Sequence, residues 1–119
     1  MAKLTNRLFQ FTGTSKDVRR GQLWYPAADV YQTPEGWVVK VELAGVSAEE
    51  IEIEIQGNVL HIAGCRKDRS CAAGVSYQQM EITYSSFEKT LRFPATIDGA
   101  SIDHQFENGL LIISLHKAQ

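Results

Sequence analysis

The side chains of this sequence that most often act as bases, nucleophiles or metal ligands are three histidines and two cysteines. They are His61, His104, His116, Cys65 and Cys71. The two cysteines are separated by five residues, unlike the Cys-x-x-Cys pairs of zinc sites, and only His61 lies near them in sequence. We therefore expect no metal site. The two thiols are expected to be unreactive, and a redox effect is the alternative.

None of the three histidines lies in a pattern typical of a catalytic site. His61 alternates with Leu60 and Ile62, so it should point away from the core. His104 follows Asp103, whose side chain should point to the opposite face of the same strand. The sequence also has no glycine-rich phosphate loop and no triad-like motif. We expect surface or groove histidines, no enzymatic activity and no cofactor.

The composition indicates one globular domain in a reducing compartment. The chain has 119 residues, 44% of them hydrophobic, and its formal net charge is -2, which argues against a nucleic-acid partner. No apolar stretch is long enough for a signal-peptide core or a membrane span. Two cysteines are too few for a disulfide scaffold. We therefore expect a cytoplasmic protein without a membrane partner.

Two pairs of segments, each joined by a two-residue turn, predict two β-hairpins. Residues 51–56 alternate isoleucine with polar residues, and a Gly-Asn turn at 57–58 leads into a second apolar segment. Residues 102–106 also alternate, and an Asn-Gly turn at 108–109 leads into residues 110–115. This last segment, LLIISL, is apolar on both sides, which is typical of an interior strand.

The rest of the chain completes an all-β pattern. Residues 28–32, 37–43 and 87–93 read as further strands, so six or seven short strands predict an immunoglobulin-like β-sandwich. Helix is limited to residues 47–50, a capping-box pattern that predicts one turn. Residues 65–76 form the longest break in the strand pattern, and a break of this length is usually functional or disordered.

The N-terminal region lacks a sustained period and reads as a short flexible arm. The predicted division is an arm over residues 1–24, a domain over residues 25–117 and a tail of residues 118–119.

An ordered set of motifs in this sequence resembles the α-crystallin domain of small heat-shock proteins. The motifs are Pro26-Ala-Ala-Asp-Val-Tyr31, Val39-Lys-Val-Glu-Leu-Ala-Gly-Val46, Asn58-Val-Leu-His-Ile-Ala-Gly64, Ser86-Phe87, Leu91-Arg-Phe-Pro94 and Phe106-Glu-Asn-Gly-Leu-Leu111. Three positions depart from the family pattern. Ala44 stands where the family usually has proline, Ser85 where it has glycine, and Ile82 where an arginine is common. The Ile-X-Ile motif of the family's C-terminal extension is also missing.

The resemblance implies a chaperone that holds unfolding client proteins without ATP and that forms a homodimer or a larger oligomer. In bacterial- and plant-type relatives, a strand in the long loop crosses to the partner's sheet. Carried onto this sequence, the crossing strand and its acceptor strand consist of Val75, Ser76, Tyr77, Gln78, Gln79 and Met80, and of Ala28, Asp29, Val30 and Tyr31.

The resemblance also implies a hydrophobic groove for client segments. Its flanking residues would be Ile51, Ile53, Ile55, Ile102, His104 and Phe106. Without the extension motif, the groove should be open to clients or to the arm residues Leu8, Phe9 and Phe11. The alternative is that all these isoleucines belong to the core, and some of them must. Period-2 alternation does not tell which face is inward, so it does not assign individual residues to the groove.

Two other functions fit the same pattern. The co-chaperone CS domain has a related β-sandwich and docks on a larger chaperone, but it lacks the long loop and is typically monomeric. The chain could also cap assemblies of a longer small heat-shock protein. Solution mass separates the first alternative from the chaperone, and mixing with a longer relative tests the second.

Overall fold

The computed structural model describes residues 3–5, 23–70 and 72–117 and consists of eight strands and one short helix. The single turn of 3-10 helix covers Ala48–Glu50. The strands are β1 Lys3–Thr5, β2 Ala28–Thr33, β3 Gly36–Glu42, β4 Ile51–Gln56, β5 Val59–Cys65, β6 Ser86–Arg92, β7 Ser101–Glu107 and β8 Leu110–His116. The all-β prediction is confirmed.

The strands form two four-stranded sheets that enclose one core. The orders are β1-β4-β5-β6 in one sheet and β2-β3-β8-β7 in the other. Every pairing is antiparallel except that of β1 with β4, which is parallel. Inward side chains of both sheets make the core, in which Val39, Phe87 and Ile113 are fully buried. β8 is an interior strand, as its two-sided apolar sequence predicts.

Both predicted hairpins are present, with the predicted turns. Gly57 has φ 62° between β4 and β5, and Asn108 and Gly109 have φ 54° and 79° between β7 and β8. Two successive positive φ angles define the I′ turn, whose twist matches that of the flanking strands. The sequence therefore sets the register of β7 against β8, in which Ile102 lies opposite Leu115.

One end of the sandwich is closed by the connection between β6 and β7, residues 93–100. The Phe93 amide donates to the Asn58 carbonyl at 2.8 Å, and the Asn58 side-chain amide donates back to the Phe93 carbonyl at 2.8 Å. The Ile97 amide donates to the Gly57 carbonyl at 2.9 Å. These bonds join the crossover to the β4–β5 turn, so the end of the core is fixed without a disulfide or metal.

The helical turn forms where predicted, but not through the predicted capping box. The Ser47 side chain makes no capping hydrogen bond to the backbone. Its hydroxyl donates to Glu49 Oε1 at 2.8 Å instead. That bond is the main cause that lowers the pKa of the exposed Glu49 carboxyl. A side-chain acceptor two residues away has displaced the backbone amide as the partner of the serine.

Candidate functional site

The outer edge of β4 is paired with a short segment from the start of the chain. In this parallel pairing Lys3 lies opposite Glu52, Leu4 opposite Ile53 and Thr5 opposite Glu54. These residues belong to the region that the sequence predicts to be a flexible arm, so a strand was not expected here. β4 therefore accepts an added strand along the edge that the predicted groove would use.

The six predicted groove residues fall into a buried set and a partly buried set. On β4, Ile51, Ile53 and Ile55 belong to the core, with no more than 4% of any of them exposed. On β7, Ile102 and Phe106 are partly buried and pack against that same core. His104, between them, is half-buried.

The two sets differ in what they can offer a client. The β4 isoleucines present almost no accessible surface in this structure, whereas the β7 residues keep some of theirs exposed. The client role of all six remains a prediction. The predicted arm contacts Leu8, Phe9 and Phe11 lie outside the described residues.

The other sheet ends at β2, whose outer edge pairs with none of the strands in the described part of the chain. All four residues predicted as the acceptor strand lie in β2, and Val30 and Tyr31 are 40% and 43% exposed. Val30 lies directly opposite Val39, which is fully buried, so Val30 faces the inner side of its sheet. Val30 is therefore an apolar and partly uncovered side chain on the inner face of an edge strand.

The loop between β5 and β6, residues 66–85, contains the six residues predicted to cross to a partner. Its described residues form no strand, so residues 75–80 are not extended onto a sheet in this single chain. They are all exposed. The large hydrophobic residues of the described ranges that are exposed are Tyr25, Val30, Tyr31, Val75, Tyr77, Met80 and Ile82. All seven belong to this loop, to β2 or to the segment just before β2.

Contacts within the loop hold it against itself. The Tyr77 hydroxyl donates to an Asp68 carboxylate oxygen, and the Ser70 hydroxyl donates to the other oxygen of the same carboxylate at 2.9 Å. Near the loop's first residues, Lys67 and Arg69 lie 3.8 Å and 3.4 Å from the Glu50 carboxylate. These exposed pairs contribute little to stability, so the loop can rearrange at low cost.

Arg66 closes the base of this loop and was not identified from the sequence. Its backbone amide donates to the Ser85 carbonyl at 2.9 Å, which extends the β5–β6 ladder by one bond. Its Nε donates to the Thr83 carbonyl at 2.8 Å, and a terminal nitrogen donates to the Ala44 carbonyl at 3.1 Å. Partial burial is the main cause that lowers the pKa of the guanidinium.

The Arg66 guanidinium also lies over the ring of Trp24, with 3.7 Å between its carbon and the ring centroid. Trp24 was assigned to the arm, but its indole packs edge-on against Phe87, and its amide donates to the Ser86 carbonyl at 3.0 Å. Trp24 and Arg66 are 42 residues apart in sequence, and no local pattern links them. A cation and an aromatic ring at such a separation give no periodic signal.

The three histidines do not assemble into a catalytic group. The expectation that His61 lies on the surface is wrong, because it is only 5% exposed although it faces away from the core. Its Nε2 lies 3.0 Å from Glu88 Oε1 on the adjacent strand β6. His116 is partly exposed on β8, with Nε2 3.5 Å from Asp103.

Within the described ranges, no three His, Cys, Asp or Glu side chains are grouped closely enough to bind a metal ion. Cys65 is half-buried at the end of β5, and Cys71 lies outside the described residues. No helix in the described part of the chain is both long and apolar enough to cross a membrane.

Comparison with known proteins agrees with the fold described above. The sequence profile of the Hsp20/alpha crystallin family matches residues 29–119. Small heat shock protein C2 of Rickettsia felis is 33% identical over 94 residues, which cover 79% of this chain and 61% of that protein. A 22.7 kDa class IV heat shock protein of Pisum sativum is 33% identical over 96 residues, covering 80% of this chain and 49% of that protein.

A solved structure shows the same architecture. Heat shock protein 16.0 from Schizosaccharomyces pombe superposes with a TM-score of 0.73 at 30% identity, covering 81% of this chain and 89% of that one. The chain spans about half to three fifths of the length of the two curated relatives described above. The chain belongs to the Hsp20/alpha crystallin family of small heat-shock proteins, and its fold is the α-crystallin β-sandwich.

Proposed function

We propose that this protein is an ATP-independent holdase, a chaperone that binds partly unfolded proteins and suppresses their aggregation. Family membership supports a chaperone role. The single observation that carries the holdase proposal is the strand added to the edge of β4. Strand addition uses backbone hydrogen bonds, which every polypeptide offers, so it suits clients of many sequences. Binding of this kind requires no catalytic residue, cofactor or nucleotide.

The apolar part of the client site is proposed to lie beside this edge. Ile102, His104 and Phe106 on β7 retain partial exposure, and Ile102 and Phe106 pack against the core that contains the β4 isoleucines. Apolar client surface that is buried there contributes about 25 cal/mol per Å² before ordering costs. The arm residues Leu8, Phe9 and Phe11 are proposed to add adaptable contacts, which favour promiscuous binding.

The direct test is light scattering from a heat-aggregating client with increasing amounts of this chain and no nucleotide. Suppression at near-stoichiometric ratios is expected, and an inert protein of similar size serves as the control. Absence of suppression would contradict the proposal and favour a module that docks on a larger chaperone, like the CS domain.

A truncation separates the arm from the domain. We expect deletion of residues 1–23 to leave a folded dimer and to reduce client protection, because it removes the arm contacts but keeps Trp24 against Phe87. A substitution of Phe106 by lysine should also reduce protection, since it places a charge beside the proposed apolar site. Unchanged protection by both variants would exclude the arm and the β7 surface as client contacts.

We also propose that the protein forms a homodimer by strand exchange. The support is the clustering of all seven large exposed hydrophobic residues on two segments, the β5–β6 loop and the region of β2. An exposed apolar patch on an unpaired strand edge is typical of an interaction surface. Residues 75–80 of one subunit would pair with residues 28–31 of the other, and these two ranges contain five of the seven residues.

The dimer proposal is tested by mass in solution. Sedimentation velocity at several concentrations should show a dimer that dissociates on dilution. A monomer at all concentrations would overturn it and favour the docking module, whereas a larger species only on mixing with a longer relative would favour the capping role. The composition and the two cysteines support the cytoplasm as the compartment.

A further inference from the structure

We propose that Arg66 and Trp24 form a mechanical link between the N-terminal segment and the β5–β6 loop, so that a change at either one alters the other. The inference rests on the proposed dimer for its functional meaning, but the link itself is a property of one chain. Its basis is the position of one guanidinium between three segments that are distant in sequence.

The guanidinium contacts each segment at a point where the chain enters or leaves the sandwich. Trp24 lies where the chain that precedes β2 meets the domain, and its ring is 3.7 Å below the guanidinium carbon. Thr83 lies where the loop returns to β6, and its carbonyl accepts from Arg66 Nε at 2.8 Å. Ala44 lies just after β3, and its carbonyl accepts from a terminal nitrogen of the Arg66 guanidinium at 3.1 Å.

Only arginine satisfies all these partners at once. The planar guanidinium can stack on an indole with its face while its edge donates to two carbonyls, whereas a lysine ammonium has no planar face. Both hydrogen bonds go to backbone carbonyl oxygens and so do not depend on the side chains at those positions. The guanidinium therefore fixes the backbone positions of Thr83 and Ala44 at the base of the loop.

The link connects the N-terminal segment to the loop that is proposed to contact the partner subunit. If a client or another subunit pulls the N-terminal segment away, Trp24 leaves the guanidinium, and Arg66 then holds Thr83 less firmly. The loop base loosens, and the strand proposed to cross to the partner is positioned less well. By reciprocity, a loop that is ordered on a partner favours the seated position of Trp24.

The sequence offers a matched control, because its two tryptophans pack alike at different positions on the sandwich. Trp24 meets Phe87 edge-on with 5.5 Å between centroids, and Trp37 meets Phe93 edge-on with 5.2 Å. Trp37 is the second residue of β3, next to the β2–β3 turn, and its aromatic partner is Phe93, whereas the Arg66 guanidinium lies over Trp24. Trp24→Leu and Trp37→Leu thus remove similar packing, and only the first removes the stack on the guanidinium.

The experiment compares these variants and Arg66→Lys in three assays on the full chain. Native-state trypsin cleavage after Lys67 or Arg69 reports on the loop, urea unfolding corrects for global stability, and sedimentation gives the dimer Kd. We expect Trp24→Leu and Arg66→Lys each to weaken the dimer about tenfold, from the loss of one cation–π contact or one charged hydrogen-bond fork. Cleavage should accelerate in Trp24→Leu but not in Trp37→Leu of equal stability.

Tryptophan emission tests whether a change at Arg66 alters the surroundings of Trp24. In a Trp37→Phe background Trp24 is the sole tryptophan, and Arg66→Lys should shift its emission to the red and increase its quenching by acrylamide. Equal cleavage in the two leucine variants, or emission that Arg66→Lys leaves unchanged, would overturn the link. If the wild-type chain is monomeric, the dimer proposal fails by itself, and cleavage and emission still decide whether the link exists.

Discussion

A lysine in place of Val30 should weaken the proposed dimer strongly without unfolding the domain. Val30 is 40% exposed on the inner face of the β2 edge. Full burial of a valine side chain contributes about 1.5–3 kcal/mol, so the exposed part is worth about 0.6–1.2 kcal/mol in each subunit when a partner covers it.

Because a twofold interface contains this contact twice, the loss is about 1.2–2.4 kcal/mol, which corresponds to a Kd raised about 7- to 50-fold. The cost of covering the lysine charge adds to this figure. Lysine is also a residue that natural sheets place on edges to prevent pairing. The domain itself should keep its stability within about 0.5 kcal/mol, as exposed substitutions usually do.

The assay is sedimentation equilibrium over a wide concentration range, with urea unfolding in parallel. Val59→Lys is the control, since Val59 is a half-buried strand valine on β5, in the other sheet from β2. A Kd for Val30→Lys that equals the wild-type value, or that rises no more than that of Val59→Lys, would refute the argument that the β2 edge is the dimer surface.

Three further predictions concern the domain itself. Gly64→Ala should cost about 1–3 kcal/mol in urea unfolding, because an added Cβ would lie 2.7 Å from the Phe87 ring and would also meet the Glu50 carbonyl. Ser47→Ala should raise the pKa of Glu49 in an NMR titration. In the wild type this hydrogen bond stabilises the fold above the pKa that Glu49 has in the unfolded chain, and the stabilisation is lost as pH falls through the lowered pKa. A Glu49 pKa that the substitution leaves unchanged would show that Ser47 does not cause the shift. Asn108→Ala should cost about 1 kcal/mol at φ 54°, whereas Asn108→Gly should cost nothing measurable; equal losses would contradict the turn assignment.

The strands and hairpins could be predicted because their signals are local. Alternation in residues 51–56 and the Asn108-Gly109 turn specify strand and turn within a few residues. The inward face could not be read from alternation alone, since it depends on which sheet covers the strand. His61 shows the same limit, because alternation predicts that it faces outward but does not predict that it is only 5% exposed.

The site was harder to predict than the fold because its contacts are distant in sequence. Nothing in Lys3–Thr5 indicates a strand, and its conformation comes from the β4 edge with which it pairs. Arg66 appears in the sequence as one of several charged residues in a polar loop. Its role follows from Trp24, Ala44 and Thr83, which the fold brings to it from three directions.

The pairing of β3 with β8 also has a consequence for the synthesis of the chain. Val41 pairs with Leu111 and Val39 with Ile113, so roughly 70 residues must follow β3 before its interior partner exists. At a synthesis rate of about 5–20 residues per second, β8 is made several seconds after β3, and the edge of β3 that pairs with β8 stays unpaired during that time. During that interval the edge of β3 that will pair with β8 can pair with another chain instead.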